Sequence, residues 1–189
     1  AIQNQAGESA GRRLEIEAIK QQMKEAIAAL KASDLGVQYR GKAALYALPW
    51  YMVIGPSAAG KSTLLRNSGL NFPFANMDDI RIRGIGGTRN CDRWFSDEAV
   101  MLDTAGRYTT EDKDHEEWLE FLALLKKARP KLPVNGIIVT LSLSTLLTSD
   151  SDAIDWHIKV IRERIDELYR HLGFVFPIYL VLTKVDLLH

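Results

Sequence analysis

Eight consecutive residues, Gly55-Pro56-Ser57-Ala58-Ala59-Gly60-Lys61-Ser62, fit the pattern G-x-x-x-x-G-K-[ST]. The chemistry of such a stretch is phosphate binding. Glycines at Gly55 and Gly60 let the backbone wrap closely around an anion, and the amides of the turn through Ser57, Ala58 and Ala59 point inward as donors. A helix opening at Lys61 and running through Thr63 would add its positive end. Lys61 would reach the outer phosphates of a nucleoside triphosphate, and the Ser62 hydroxyl would ligate Mg²⁺. Asp103-Thr104-Ala105-Gly106 supplies a carboxylate for the Mg²⁺ shell and, at Gly106, an amide for a γ-phosphate. Thr88, in Gly86-Gly87-Thr88-Arg89-Asn90, stands where a switch threonine would touch both metal and γ-phosphate, although a plain flexible loop fits the same residues. Thr183-Lys184-Val185-Asp186 has the spacing of the guanine-reading N-K-x-D, with Thr in place of Asn. Asp186 would accept from the guanine N1–H and amino group, and the Lys184 stem would lie along the base. The bland alternative is that Asp186 only caps a following helix.

These groups need strands that end where the loops begin. Trp50–Ile54 is a short apolar, partly β-branched run directly before the glycine-rich loop, as a buried strand would be. Residues 91–95 and 99–102 read as two strands joined by Ser96-Asp97-Glu98, a turn short enough for an antiparallel hairpin. Trp118, Phe121, Leu122 and Leu125 sit at helical spacing after an acidic stretch in which Asp112 or Asp114 can cap the start, and Pro130 and Pro133 end that helix. Residues 136–141 read as a further buried strand. A long helix then carries Ile154, Ile158, Ile161, Ile165, Leu168 and Leu172 on one face, and 177–182 is the last strand. Upstream, residues 1–12 are small and polar and expected to fray. Ile16, Ile19, Met23, Ile27 and Leu30 recur at steps of three or four, one face of a helix ended by Ser33, Gly36 and Gly41. The division is an N-terminal helical extension over 1–44 and an α/β domain over 45–189. Alternating strands and helices imply a mostly parallel sheet. The hairpin ahead of Asp103 favours the Ras-like GTPase core, a P-loop NTPase fold with one antiparallel hairpin, over most ATPase P-loop folds.

Composition narrows the rest. The chain has 189 residues, is 47% hydrophobic and balances 24 Lys and Arg against 24 Asp and Glu, so it can bury a core and lacks the bulk basic charge of a nucleic-acid binder. The basic cluster Arg81, Arg83, Arg89 and Arg93 is offset by Asp78, Asp79 and Asp92, as in a solvated loop. The single cysteine, Cys91, cannot form an internal disulfide, which suits a cytosolic setting. His115, His157, His171 and His189 fall in no metal-ligand spacing. No run approaches the roughly 20 apolar residues of a membrane span. With no initial Met and a stop soon after a strand-like segment, the chain reads as a piece of something longer.

Wording now adds to pattern. Leu48-Pro49-Trp50-Tyr51-Met52-Val53-Ile54-Gly55, Gly86-Gly87-Thr88-Arg89-Asn90-Cys91-Asp92, Trp94-Phe95, Asp97-Glu98-Ala99-Val100, Leu102-Asp103-Thr104-Ala105-Gly106-Arg107-Tyr108 and Phe176-Pro177-Ile178-Tyr179 through Asp186 strongly resemble the IcmF/TssM family. The resemblance runs from about Leu45 to Leu188. It implies the cytoplasmic NTPase domain of an inner-membrane component of the bacterial type VI secretion system. It also implies TssL-like partners, TssJ-like partners through parts absent here, and no membrane contact by this segment itself. Gly55, Gly60, Lys61, Ser62, Asp103 and Asp186 fall on the family's nucleotide-site positions, with Mg²⁺ and GTP or ATP as ligands. Family members differ in whether the P-loop is intact; here it is. Two departures matter for turnover. Arg107 follows Gly106 where many Ras-like enzymes place a water-orienting Gln, so hydrolysis would be slow or use another group, with Arg89 or Arg107 as a candidate transition-state arginine. The last motif, strand and helix of a GTPase core are missing from the sequence, which would leave base recognition incomplete. The expected function is a nucleotide-gated assembly module; the alternative is a non-catalytic scaffold that keeps the fold.

Overall fold

The computed structural model describes residues 2–71, 91–109 and 114–187, and the fold is given for these. Five strands form one sheet in the order β2-β3-β1-β4-β5: β1 (Trp50–Ile54), β2 (Cys91–Phe95), β3 (Val100–Thr104), β4 (Gly136–Ser142) and β5 (Ile178–Thr183). Four of them, β3, β1, β4 and β5, run parallel, and β2 pairs antiparallel with β3, Cys91 opposite Thr104 and Phe95 opposite Val100. The expected hairpin is therefore present. Its second strand extends past 102, so that Asp103 and Thr104 belong to the strand rather than to the loop after it. Parallel strands place their carboxyl ends on one edge, where an open α/β sheet receives ligands. The loops after β1, β3 and β5 leave from that edge.

The central strands are buried on both faces, and every residue of β3 is shielded. That burial is why β1 and β3 read as continuous apolar runs. Helix α4 (His115–Ala128) lays Trp118, Phe121, Leu122 and Leu125 into the core, as the spacing predicts. Asp114 stands at its N-cap but makes no capping hydrogen bond; its carboxylate is taken by Arg107 instead. Asp112 lies outside the described residues. Ahead of the long helix a short one, α5 (Leu143–Thr148), is capped by Ser142 accepting from Thr145 N, an element too brief to show a period in the sequence. Helix α6 (Ser151–Leu172) is capped by Asp150, which accepts from Ala153 N. It buries Ile161, Leu168 and Leu172, whereas Ile158, expected on the same face, is 54% exposed. The carboxyl half of α6 lies against the core and its first turns overhang it, leaving Trp156 open as well.

At the amino end the helix is longer than expected. Helix α1 (Ile2–Ala32) starts at Ile2, not after residue 12, and a second helix, α2 (Asp34–Tyr39), resumes through Gly36 before a 3-10 turn over Gly41–Tyr46. Ile19, Met23 and Leu30 are buried in the same hydrophobic cluster as Trp118, Phe121 and Leu122 of α4. Each such side chain is worth roughly 1.5–3 kcal/mol on burial, so α1 is a packed part of this core. At one edge of the sheet, β5 exposes Ile178, Leu180 and Leu182.

Candidate functional site

The glycine-rich loop leaves β1 at Gly55, whose φ of 153° belongs to glycine, and a Cβ there would meet the Thr140 carbonyl oxygen at 2.3 Å. The loop closes onto α3 (Lys61–Arg66), as the motif demands. Among the described residues only Arg40, Ala58 and Lys184 hold positive φ without being glycine, at 47°, 60° and 57°. Two of these lie in the candidate site, where strained backbone clusters when the surroundings over-determine it.

Lys61 is buried, and its ammonium donates to the carbonyls of Gly55 and Pro56 at 2.9 Å each, so the side chain arches back over its own loop. Burial lowers its pKa, and the nearby Asp103 opposes that shift. A buried cation held by neutral carbonyls gains from an anion brought beside it. Next to it the Ser62 hydroxyl donates to Asp103 Oδ2 at 2.5 Å, across 41 positions of sequence. Asp103 is wholly buried at the end of β3. A hydroxyl and a carboxylate side by side are hard oxygen donors, the set that suits Mg²⁺. Among the described residues no three His, Cys, Asp or Glu are grouped to hold a metal. A cation at Ser62 and Asp103 would therefore complete its shell from phosphate oxygens and water, the usual manner for Mg²⁺.

The 3-10 turn over Gly106–Thr109 folds down on the glycine-rich loop. A Cβ on Gly106 would lie 2.4 Å from Ser57 Cα and 2.5 Å from Ser57 N, so backbone approaches backbone there. Thr109 donates to the carbonyls of Gly55 at 2.9 Å and Gly106 at 2.6 Å. On the far side, Thr183 at the end of β5 donates to the Ala59 carbonyl at 2.6 Å and that of Leu141 at 3.2 Å. Thr183 thus ties the third loop to the first. Lys184 follows in left-handed backbone, and Asp186 is exposed in the turn Val185–Leu187.

Gly55, Ser57, Ala58, Ala59, Gly60, Lys61, Ser62, Thr63, Asp103, Gly106, Thr183 and Lys184 are accordingly brought to one edge of the sheet. Thr88 and Arg89 lie outside the described residues. Arg107 is turned towards carboxylates: Asp114 at 2.9 Å, Glu117 at 2.8 Å and Glu15 of α1 at 3.3 Å. Burial opposes the charge of Arg107, but Glu117, Tyr108, Asp114 and Glu15 outweigh it and hold its pKa above the ordinary value. Glu117 is pushed up to about 7, first by burial, then by a hydrogen bond with Glu15 and despite the attraction of Arg107. Three carboxyl groups around one guanidinium leave excess negative charge, which a proton at Glu117 relieves. No local pattern singles out Thr109, Glu117 or Glu15, whose partners here are 54, 10 and 92 positions away.

The fold is that of an α/β domain, a mostly parallel sheet with helices, which carries a glycine-rich loop, a buried lysine and a hydroxyl–carboxylate pair at its strand ends. A family model described as the IcmF-related N-terminal domain matches residues 111–189. Over 178 residues, 92% of this chain, the sequence is 53% identical to a protein of Pseudomonas aeruginosa described as type VI secretion system component TssM1. The chain belongs to the IcmF/TssM family. It spans 16% of the length of that relative. No helix among the described residues is long and apolar enough to cross a membrane.

Proposed function

We propose that this chain is a Mg²⁺-dependent nucleoside-triphosphate-binding domain of P-loop, Ras-like architecture that acts as a nucleotide-gated assembly module. The observation that carries the proposal is the convergence of Lys61, Ser62 and Asp103. A buried ammonium sits beside a hydroxyl–carboxylate pair 2.5 Å apart at the mouth of a glycine-rich loop. Phosphate oxygens would take the Lys61 ammonium and the loop amides, and Mg²⁺ would bridge them to Ser62 and Asp103. Gly106 would offer its amide to the outermost phosphate once the turn makes room. Thr88 would join the metal shell from its own loop. Lys184 and Asp186 would meet the base, with guanine preferred to adenine. Within the type VI secretion membrane complex the domain would stand on the cytoplasmic side of the inner membrane and answer to TssL-like partners, with TssJ-like partners met by other parts of the protein.

A second reading, a scaffold that binds nucleotide without useful turnover, draws support from Arg107. Its guanidinium is committed to Asp114, Glu117 and Glu15, so it does not stand ready as a catalytic arginine in this conformation. The deciding experiment titrates GTP and ATP separately, each with Mg²⁺, by calorimetry, and repeats both with Lys61→Ala. Micromolar binding that Lys61→Ala abolishes supports the nucleotide module and names its base. Unchanged affinity in the variant removes the P-loop assignment, and single-turnover assay of the wild type then separates switch from scaffold.

A further inference from the structure

The turn Gly106–Thr109 is fastened at two places at once. Its inner side is clasped to the glycine-rich loop, by Thr109 donating to the Gly55 carbonyl at 2.9 Å and by the contact of Gly106 with Ser57. Its outer side is held through Arg107 by Asp114 and Glu117 at the start of α4 and by Glu15 of α1. Between them Tyr108 is buried, its ring 5.9 Å from that of Trp118. Four residues in a 3-10 turn cover only about 6 Å along its axis, and both sides are held, so a shift at one side reaches the other unless the turn unwinds. A separate polar tie of α1 to the body, Lys20 to Glu120 at 3.6 Å, runs to α4 and bypasses the glycine-rich loop.

We infer that the Gly106–Thr109 turn is a latch coupling the glycine-rich loop to helix α1, with Glu15 as the receiving residue on α1. An anion lodged between Ser57 and Gly106 has no room until the turn moves, and a turn that moves pulls on the Arg107 side chain that Asp114, Glu117 and Glu15 hold. Packed elements of this kind exchange between discrete arrangements rather than deform smoothly. Helix α1 is thereby the output of the site, and its position in turn sets how readily the loop opens, since coupling is reciprocal. The natural trigger rests on the nucleotide-binding proposal above; the link between turn and helix does not.

Hydrogen–deuterium exchange on the whole chain tests it without ligand. Glu15→Gln takes the charge from the α1 end of the latch, weakening its pairing with Arg107 and altering its hydrogen bond with Glu117, while Asp114 and Glu117 still hold Arg107. It is expected to raise amide exchange in residues 55–60 about threefold, the scale of one partly exposed ion pair. Lys20→Gln, which loosens α1 without touching the latch, is expected to leave those amides unchanged. Unchanged exchange at 55–60 in Glu15→Gln, or an equal rise in Lys20→Gln, overturns the inference. A second arm adds Mg²⁺ with a non-hydrolysable GTP or ATP analogue at a concentration that calorimetry shows to be saturating. Exchange along α1 is then expected to rise in the wild type and to be already raised in Arg107→Gln; a bound analogue that leaves α1 untouched also overturns it. Failure of either analogue to bind counts against the nucleotide proposal, while the ligand-free comparison still decides the latch.

Discussion

Replacing Glu117 by Gln should change how stability depends on pH. The carboxyl is almost fully buried, and its pKa is displaced from 4.5 to about 7. At about 1.4 kcal/mol per pH unit that displacement is worth up to about 3 kcal/mol. The sign follows from which state holds the proton more tightly. The folded chain does, so the stability from this group is complete below about pH 4.5 and is lost as pH rises through about 7. Gln keeps the shape and stays neutral throughout, and therefore lacks this loss. Urea unfolding, followed by fluorescence of the neighbouring Trp118, would be run on both chains from about pH 4.5 to about pH 8. Carboxylates outside the Arg107 cluster contribute equally to each, so the difference between the curves isolates Glu117 together with its coupling to Glu15 and Asp114. The variant should gain on the wild type by roughly 2–3 kcal/mol across that window. Parallel curves would show that burial does not govern this carboxyl. A variant that loses ground as pH rises would show that Arg107 holds Glu117 ionised, with attraction outweighing desolvation.

Two further outcomes test the site more directly. Gly106→Ala puts a methyl 2.4 Å from Ser57 Cα, where backbone on both sides must give way; a loss of about 1–3 kcal/mol in urea unfolding is expected, and wild-type stability would mean that the turn does not rest on the loop. Asp186→Ala should weaken GTP binding by roughly 10- to 100-fold, the range for hydrogen bonds to a charged group, while sparing ATP; calorimetry showing equal loss of both would remove the guanine-reading role.

The sequence alone determined the strands and their order of use. Trp50–Ile54 is a strand because five apolar residues in a row suit only a doubly buried position, and its end at Gly55 follows from the glycine pattern. The hairpin ahead of Asp103 and the helix from Lys61 are equally local, each set by a short turn or a cap within a few residues. Ile158 shows where such reasoning stops: periodicity tells which side of α6 it occupies, but only the placement of α4 and the sheet decides that the core does not reach that far. The same holds for charge. The residue types announced Lys61, Ser62 and Asp103 as chemistry, and tertiary structure then brought Ser62 and Asp103 within hydrogen-bond reach. Nothing local to Arg107 says that Glu15, 92 positions away, will share its guanidinium with Glu117. That partnership exists because α1 buries Ile19, Met23 and Leu30 against α4, and apolar packing, which is blind to charge, fixes which carboxylates are left facing the turn.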